Sequence, residues 1–393
     1  MTKYKLSLSR RLLATSAIAL FAAGINAQEA SAASPTAGNG VTIKVGTTEP
    51  VAAADAPYSL GSGHTLTVDI SGTGGGTALA STDATYSGHS VIATGSGLGT
   101  LATTATGQTF NFAGHVGTYN SYPLAAITLG HTTNVITFSG DVASTAITFG
   151  AVAPTTFKGD VTSTTGIDFA DLAATATIDA TDGDLTIAAP IFDASNGKGT
   201  VAIDAKANTV TFTKAIGYNS SGTLKDISAI TLTGSGSGAE AVFTEDVYLD
   251  TDLTYSADNI VATVKSDFRG AAASAVDFAT HTDSRFVVDA SANTTITGAI
   301  INTANGVGVV ELKPASGVTI NVENNLGVTG GANDLKNILI NGVGTSVLKG
   351  DNWATNLTFS ADGTVEIASN KDFTGAVTLG ASGTMGTITL KPA

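Results

Sequence analysis

The chain has no cysteine among its 393 residues. Disulfides and thiolate chemistry are excluded, so packing and hydrogen bonds must hold the fold. Charged residues are scarce at 13%, about half the usual share, and few Glu, Lys or Arg remain to favour helices. Proline numbers 8 against 46 glycines, which leaves the turns to Gly, Asn and Asp. Aromatics stand at 6%, so a core must come from Val, Ile, Leu and a thin series of Phe. Basic groups are also few: 18 Lys and Arg oppose 32 Asp and Glu, a formal charge of −14. Beyond residue 32 the balance is 14 basic to 31 acidic groups. Such a body does not neutralise phosphates, and no nucleic-acid partner is expected. Nor does any apolar run after residue 32 suffice for a helix to span a bilayer.

One unit recurs. Val135-Ile-Thr-Phe-Ser-Gly-Asp-Val142 is followed by Ala146-Ile-Thr-Phe149, Thr155-Thr-Phe-Lys-Gly-Asp-Val161 and Gly166-Ile-Asp-Phe-Ala-Asp171. Weaker copies stand at Phe112-Ala-Gly-His-Val116, Phe243-Thr-Glu-Asp-Val247, Ile296-Thr-Gly-Ala-Ile300 and Phe373-Thr-Gly-Ala-Val377. The clearest copies, at Phe138 and Phe157, lie roughly 20 residues apart, a spacing that marks stacked repeats. Phe and Ile or Val alternate with Thr, as a strand with one buried face requires. Each unit is too short to bury that face alone and must lean on the next. Gly is expected to turn the corner through a positive φ, with Asp bonding nearby backbone N–H groups. The pattern predicts an all-β chain, a parallel β-helix (β-solenoid) of roughly a dozen coils. β-Sandwich domains in series are the alternative, since short strands at 8–12-residue spacing fit them too.

Three regions are expected. Residues 1–32 read as a signal peptide: Lys3, Lys5, Arg10 and Arg11 precede an apolar Leu12–Ala23 stretch, and Ala30-Ser-Ala32 offers a cleavage site. Residues 33–130 read as an N-terminal cap with irregular early coils, and residues 131–393 as regular solenoid repeats. The expected location is exported, at a bacterial cell surface or outside it.

The recurring Phe-x-Gly-Asp-Val in a Thr-, Ala- and Gly-rich background resembles the passenger domains of rickettsial outer-membrane autotransporters, surface cell antigens of the outer membrane protein B type. Leu335-Lys-Asn-Ile-Leu-Ile-Asn341 and Gly363-Thr-Val-Glu-Ile-Ala-Ser-Asn-Lys-Asp-Phe-Thr-Gly375 share that character. The resemblance covers residues 108–393 and implies a cell-surface β-helix serving as an adhesin or coat. Its partners would be a host-cell or matrix component, or copies of itself. It brings no catalytic residue. The translocator barrel that ends such proteins, with its aromatic girdles, is not represented in this sequence.

Few residues suggest chemistry. Asp179-Ala-Thr-Asp-Gly-Asp184 gathers three carboxylates, but lacks calcium-loop spacing and reads as a capped corner. Asp246, Asp250 and Asp252 form a looser group, with Asp250 and Asp252 expected on one solvated strand face. His64, His89, His115, His131 and His281 have no metal-ligand spacing and read as isolated loop residues. Gly234-Ser-Gly-Ser-Gly238 puts glycine where a nucleophile elbow needs serine. One Trp and, past the signal, two Arg make a poor carbohydrate-cleaving groove. An enzyme is not expected, and no cofactor, metal or catalytic residue is assigned.

Overall fold

The computed structural model describes residues 135–391 except 196, 235, 329–332 and 381–384. It also describes 41–44, 58–60, 65–69, 91–93, 96–105, 110–112, 114–117 and 122–132. The expected signal peptide and much of the expected cap lie outside the described residues. The strands that are described there join the same stack: Val41–Lys44 pairs with Thr65–Asp69, and that strand with Leu98–Ala105.

Every strand pairs in parallel with the equivalent strand of the next turn, giving a β-solenoid of about 11 turns. Among the described residues there is no helix, and none long and apolar enough to cross a membrane. The strands build three faces. Face A holds Ile136–Phe138, Thr155–Phe157, Thr175–Asp179, Lys198–Asp204, Ile227–Leu232 and Leu253–Tyr255 in ascending order. Face B includes Leu185–Ala188, Thr209–Phe212, Ala239–Phe243, Ile260–Val264, Arg285–Ala290 and Val307–Pro314. Face C includes Thr294–Thr297, Thr319–Val322, Thr345–Leu348, Thr364–Ile367 and Thr387–Leu390. In the early turns the strands Val142–Phe149 and Val161–Asp168 bend and supply both B and C.

Alternation sends one side of each strand inward, where like residues stack in columns. On face C one column runs Ile127, Ile147, Ile167, Ile191, Ile216, Val247, Phe268, Ile296, Val322, Leu348 and Ile367. On face A Phe112, Phe138 and Phe157 stack with centroids 4.8 and 5.4 Å apart. Face B has Phe212 on Phe243 at 5.1 Å. All of these are buried, and together they form one continuous core.

The recurring sequence unit is the tight corner of this coil. The last inward side chain of one face and the first of the next are four positions apart, with three residues between them. Phe138 to Val142 and Phe157 to Val161 lead from A to B. Phe212 to Ile216, Phe243 to Val247 and Val264 to Phe268 lead from B to C. Ile296 to Ile300, Val322 to Leu326 and Leu348 to Asn352 lead from C to A. The corner therefore migrates around the rod. Phe138, Phe243 and Leu348, each 105 residues beyond the last, occupy equivalent places on A, B and C. Between them lie four whole turns and one face. The sequences around them match: Phe138-Ser-Gly-Asp-Val, Phe243-Thr-Glu-Asp-Val and Leu348-Lys-Gly-Asp-Asn, followed by Ile147-Thr-Phe149, Leu253-Thr-Tyr255 and Leu357-Thr-Phe359. The 105-residue unit is a second, longer repeat laid over the coil. The copy at Phe373-Thr-Gly-Ala-Val377 is not such a corner, since it lies within one strand, Phe373–Leu379.

Three corner glycines depart from expectation, while Gly298, in the corner from Ile296 to Ile300, has the expected positive φ, 100°. Gly140, Gly159 and Gly350 do not have positive φ. They are glycine because successive corners touch: a Cβ on Gly159 would stand 2.5 Å from the Gly140 carbonyl carbon, and one on Gly350 2.3 Å from that of Asn324.

Candidate functional site

The corner Asp bonds upward, as a staple between turns. Asp141 Oδ1 accepts from the Asp160 amide at 3.0 Å, and Asp160 Oδ1 from that of Thr186 at 2.7 Å. Asp267 Oδ1 and Asn325 Oδ1 do the same for Thr295 and Asp351. A corner leaves backbone donors outside the ladder, and a short acceptor side chain satisfies them.

The suspected carboxylate groups disperse on this principle. Asp179 bonds Thr181 and pairs with Lys158 at 3.1 Å. Burial works to raise its pKa, but the bonds from Thr181 and Lys158 outweigh it and hold the carboxyl below the ordinary value. Asp184 turns to the next turn, accepting from the Thr209 amide at 2.8 Å. Asp246 accepts from Ser266 and the Asp267 amide, Asp252 from Thr254 and Ser274. Neither Asp250 nor Asp252 is on a strand as expected; both lie in the bend between Val247–Tyr248 and Leu253–Tyr255. Among the described residues no three His, Cys, Asp or Glu side chains are placed to hold a metal ion.

The histidines also separate. His64 and His89 lie outside the described residues. His115 accepts from the Asp141 amide at a corner, and His281 meets Asp258 at 3.2 Å. His131 is not the loop residue expected. It ends the strand Leu124–His131, fully buried, with Nδ1 3.3 Å from the Thr103 hydroxyl and Nε2 3.3 Å from the Pro154 carbonyl. A carbonyl only accepts, so Nε2 carries the proton and Nδ1 accepts from Thr103. Burial lowers the His131 pKa and keeps the ring neutral.

A shallow groove of about 380 Å³ lies on the outer side of face B. Register puts Val242, Thr263, Val287 and Glu311 in one outward row, with Glu240, Val261 and Arg285 beside it. Thr263 donates to Glu240 at 2.7 Å. Glu311 is buried although it faces outward, gripped by Arg285 at 2.7 Å and by Asn341 at 2.7 Å. Lys313 pairs with Asp289 at 3.4 Å. Three acids and three bases (Glu240, Asp289, Glu311; Lys265, Arg285, Lys313) line the groove. It is a charge-balanced, hydrogen-bonding surface suited to a polar partner. Val309-Val-Glu-Leu312-Lys313 alternates, so an outward Glu311 and Lys313 could be read from sequence; their partners on the adjacent turns could not.

A second cluster lies on the outer side of face C. Gly217, with φ of 86°, opens a small hairpin in which Tyr218 bridges Leu224. Tyr218 leans on Tyr248 with centroids 4.9 Å apart. Arg269 stands 4.7 Å over the Tyr248 ring and pairs with Asp226. Burial raises the pKa of the Tyr248 hydroxyl and also of Asp226, the latter opposed by Arg269.

No protein-family model matches the chain, and no curated protein or solved structure matches it.

Proposed function

We propose that the chain is an exported cell-surface solenoid that works by display, as an adhesin or coat component. One observation carries this reading. The core columns stay in register while the chain between them varies, from 19 residues between Ile136 and Thr155 to 29 between Val201 and Ile230 and 35 between Leu66 and Leu101. The extra residues go outward, as in the Tyr218 hairpin. The rod thus keeps its shape while its surface changes, which is the requirement of a display scaffold. The balanced groove on face B and the aromatic cluster on face C are the surfaces such a scaffold would offer, and the acidic body favours dispersal over non-specific adhesion.

The test is placement and adhesion together. Intact producing cells should lose the protein to added protease, and the purified chain should bind immobilised host-matrix or host-cell material. A chain found only inside intact cells, and inert on every such surface, would sink the proposal.

A further inference from the structure

The 105-residue unit, which sets Ile147-Thr-Phe149 against Leu253-Thr-Tyr255, also equates the bends stacked on them. One reads Ile167-Asp-Phe-Ala-Asp171, the other Val276-Asp-Phe-Ala-Thr280. Phe169 stacks on Phe149 with centroids 5.0 Å apart, and Phe278 on Tyr255 at 4.8 Å. Asp168 and Asp277 each accept from the amide two residues on, at 2.7 Å. Ala170 and Ala279 have φ of 51° and 49°. On the next turn come Asp193 and Asn302, 0 and 1% exposed. Gly197 and Gly306 then donate to the carbonyls of Asp226 and Asp334. The two bends share these backbone contacts, and the chemical difference between them is Asp193 against Asn302.

Asn302 closes its bend. Its Nδ2 donates to the Val307 carbonyl at 3.2 Å and to that of Asp334 at 2.9 Å. The equivalents of these two are Lys198 and Asp226, since Lys198 pairs with Ile227 as Val307 pairs with Leu335. Asp193, as a carboxylate, has no hydrogen to give, and carbonyls only accept. Its Oδ1 accepts from the Asp171 amide at 2.6 Å, while Oδ2 is buried without a partner. Asn302 also leaves an oxygen unpartnered, Oδ1, but that atom carries no charge. The neighbouring cation is engaged elsewhere: Lys225 Nζ donates to the Ala194 carbonyl. Asp168, Asp171, Asp193 and Lys225 sum to −2, whereas Asp277, Thr280, Asn302 and Asn333 sum to −1. Burial raises the Asp168 pKa, and the Asp193 charge adds to it. A buried ion short of opposite charge is costly. We infer that Asp193 Oδ2 and the main-chain carbonyls of Lys198 and Asp226 form a binding site for a hard divalent cation of the calcium class. An oxygen-only donor set suits such an ion, with water completing its shell. Only one side chain is required, and a single carboxylate puts the affinity at the weak end, about millimolar. The second bend, closed by Asn302, has no such site. The inference is independent of where the protein resides or what its outer surface binds.

The experiment compares the 393-residue chain with its Asp193→Asn variant, which gives the first bend the side chain that closes the second. Equilibrium dialysis against calcium chloride, up to about 10 mM, should show one more bound ion per chain for the native protein than for the variant. Calcium in place of a chelator should raise the native melting temperature by at least about 2 °C and leave that of Asp193→Asn unmoved. Asp182→Asn, which removes an equal charge at an exposed position, should behave as the native chain does. Equal calcium binding by the native chain and Asp193→Asn would overturn the inference. So would a native melting temperature that rises on acidification but ignores calcium, which would put a proton in place of the ion.

Discussion

A single atom decides much at the corners. Gly159→Ala puts a Cβ against the Gly140 backbone, which cannot move aside as a side chain would. We expect a loss of about 1–3 kcal/mol, the usual range for overpacking, read as a lower urea midpoint. Asp160→Ala removes the acceptor for the Thr186 amide and should cost about 1 kcal/mol. Asp160→Asn should be nearly neutral, since Asn293 and Asn325 fill the same role. His131 makes the stability pH-dependent. Its folded pKa lies below the unfolded value of 6.5, so its contribution is complete above that value. As pH falls through the window beneath it, the unfolded chain takes up a proton that the buried ring refuses, and stability drops. Urea midpoints at pH 7.5 and 5.5 should differ more for the native chain than for His131→Gln.

At the scale of the strand, the Phe ladder on face A carries the early turns. Phe138→Ala opens a cavity between Phe112 and Phe157 and should cost about 3–5 kcal/mol. Val152→Ala, on an exposed side chain, should change thermal stability by less than about 0.5 kcal/mol. The strands were legible in the sequence because alternation and β-branching are local: Ile136-Thr-Phe138 and Thr155-Thr-Phe157 can be read within a few residues. The role of Asp in Phe-x-Gly-Asp-Val was legible as a backbone cap, but not its partner, which belongs to the next turn. Gly140, Gly159 and Gly350 misled for the same reason, since φ is a local guess while their contact lies a whole coil away. His131 is a similar case. Nothing beside it in the sequence distinguishes a loop histidine from a strand end roofed by Thr103 and Pro154. The groove on face B was beyond reach because it assembles Glu240, Arg285 and Glu311 from three separate turns.

For the whole molecule, the unit of four turns and one face is the dominant fact. A regular coil motif is visible in the sequence; the migration of its corner appears only once each corner is assigned to a face. Removing residues 243–347 would join Val242 to Leu348, an equivalent of Phe243, and should leave the columns unbroken. The shortened chain should fold, with an all-strand far-UV circular dichroism spectrum and a melting temperature close to that of the parent. An excision one residue longer, 243–348, would join Val242 to Lys349, put a lysine in the inward place of Phe243, and should not refold.

Since one unit is not a whole number of turns, adding or losing one changes more than length. Everything beyond the junction would swing round the axis by one side of the prism, with its interior untouched. A lineage that gains or drops such a cassette would turn hairpins like that of Tyr218 toward a new quarter in one step. Any partner approaching from a fixed direction would then meet a different profile, without one altered amino acid in the loops it touches.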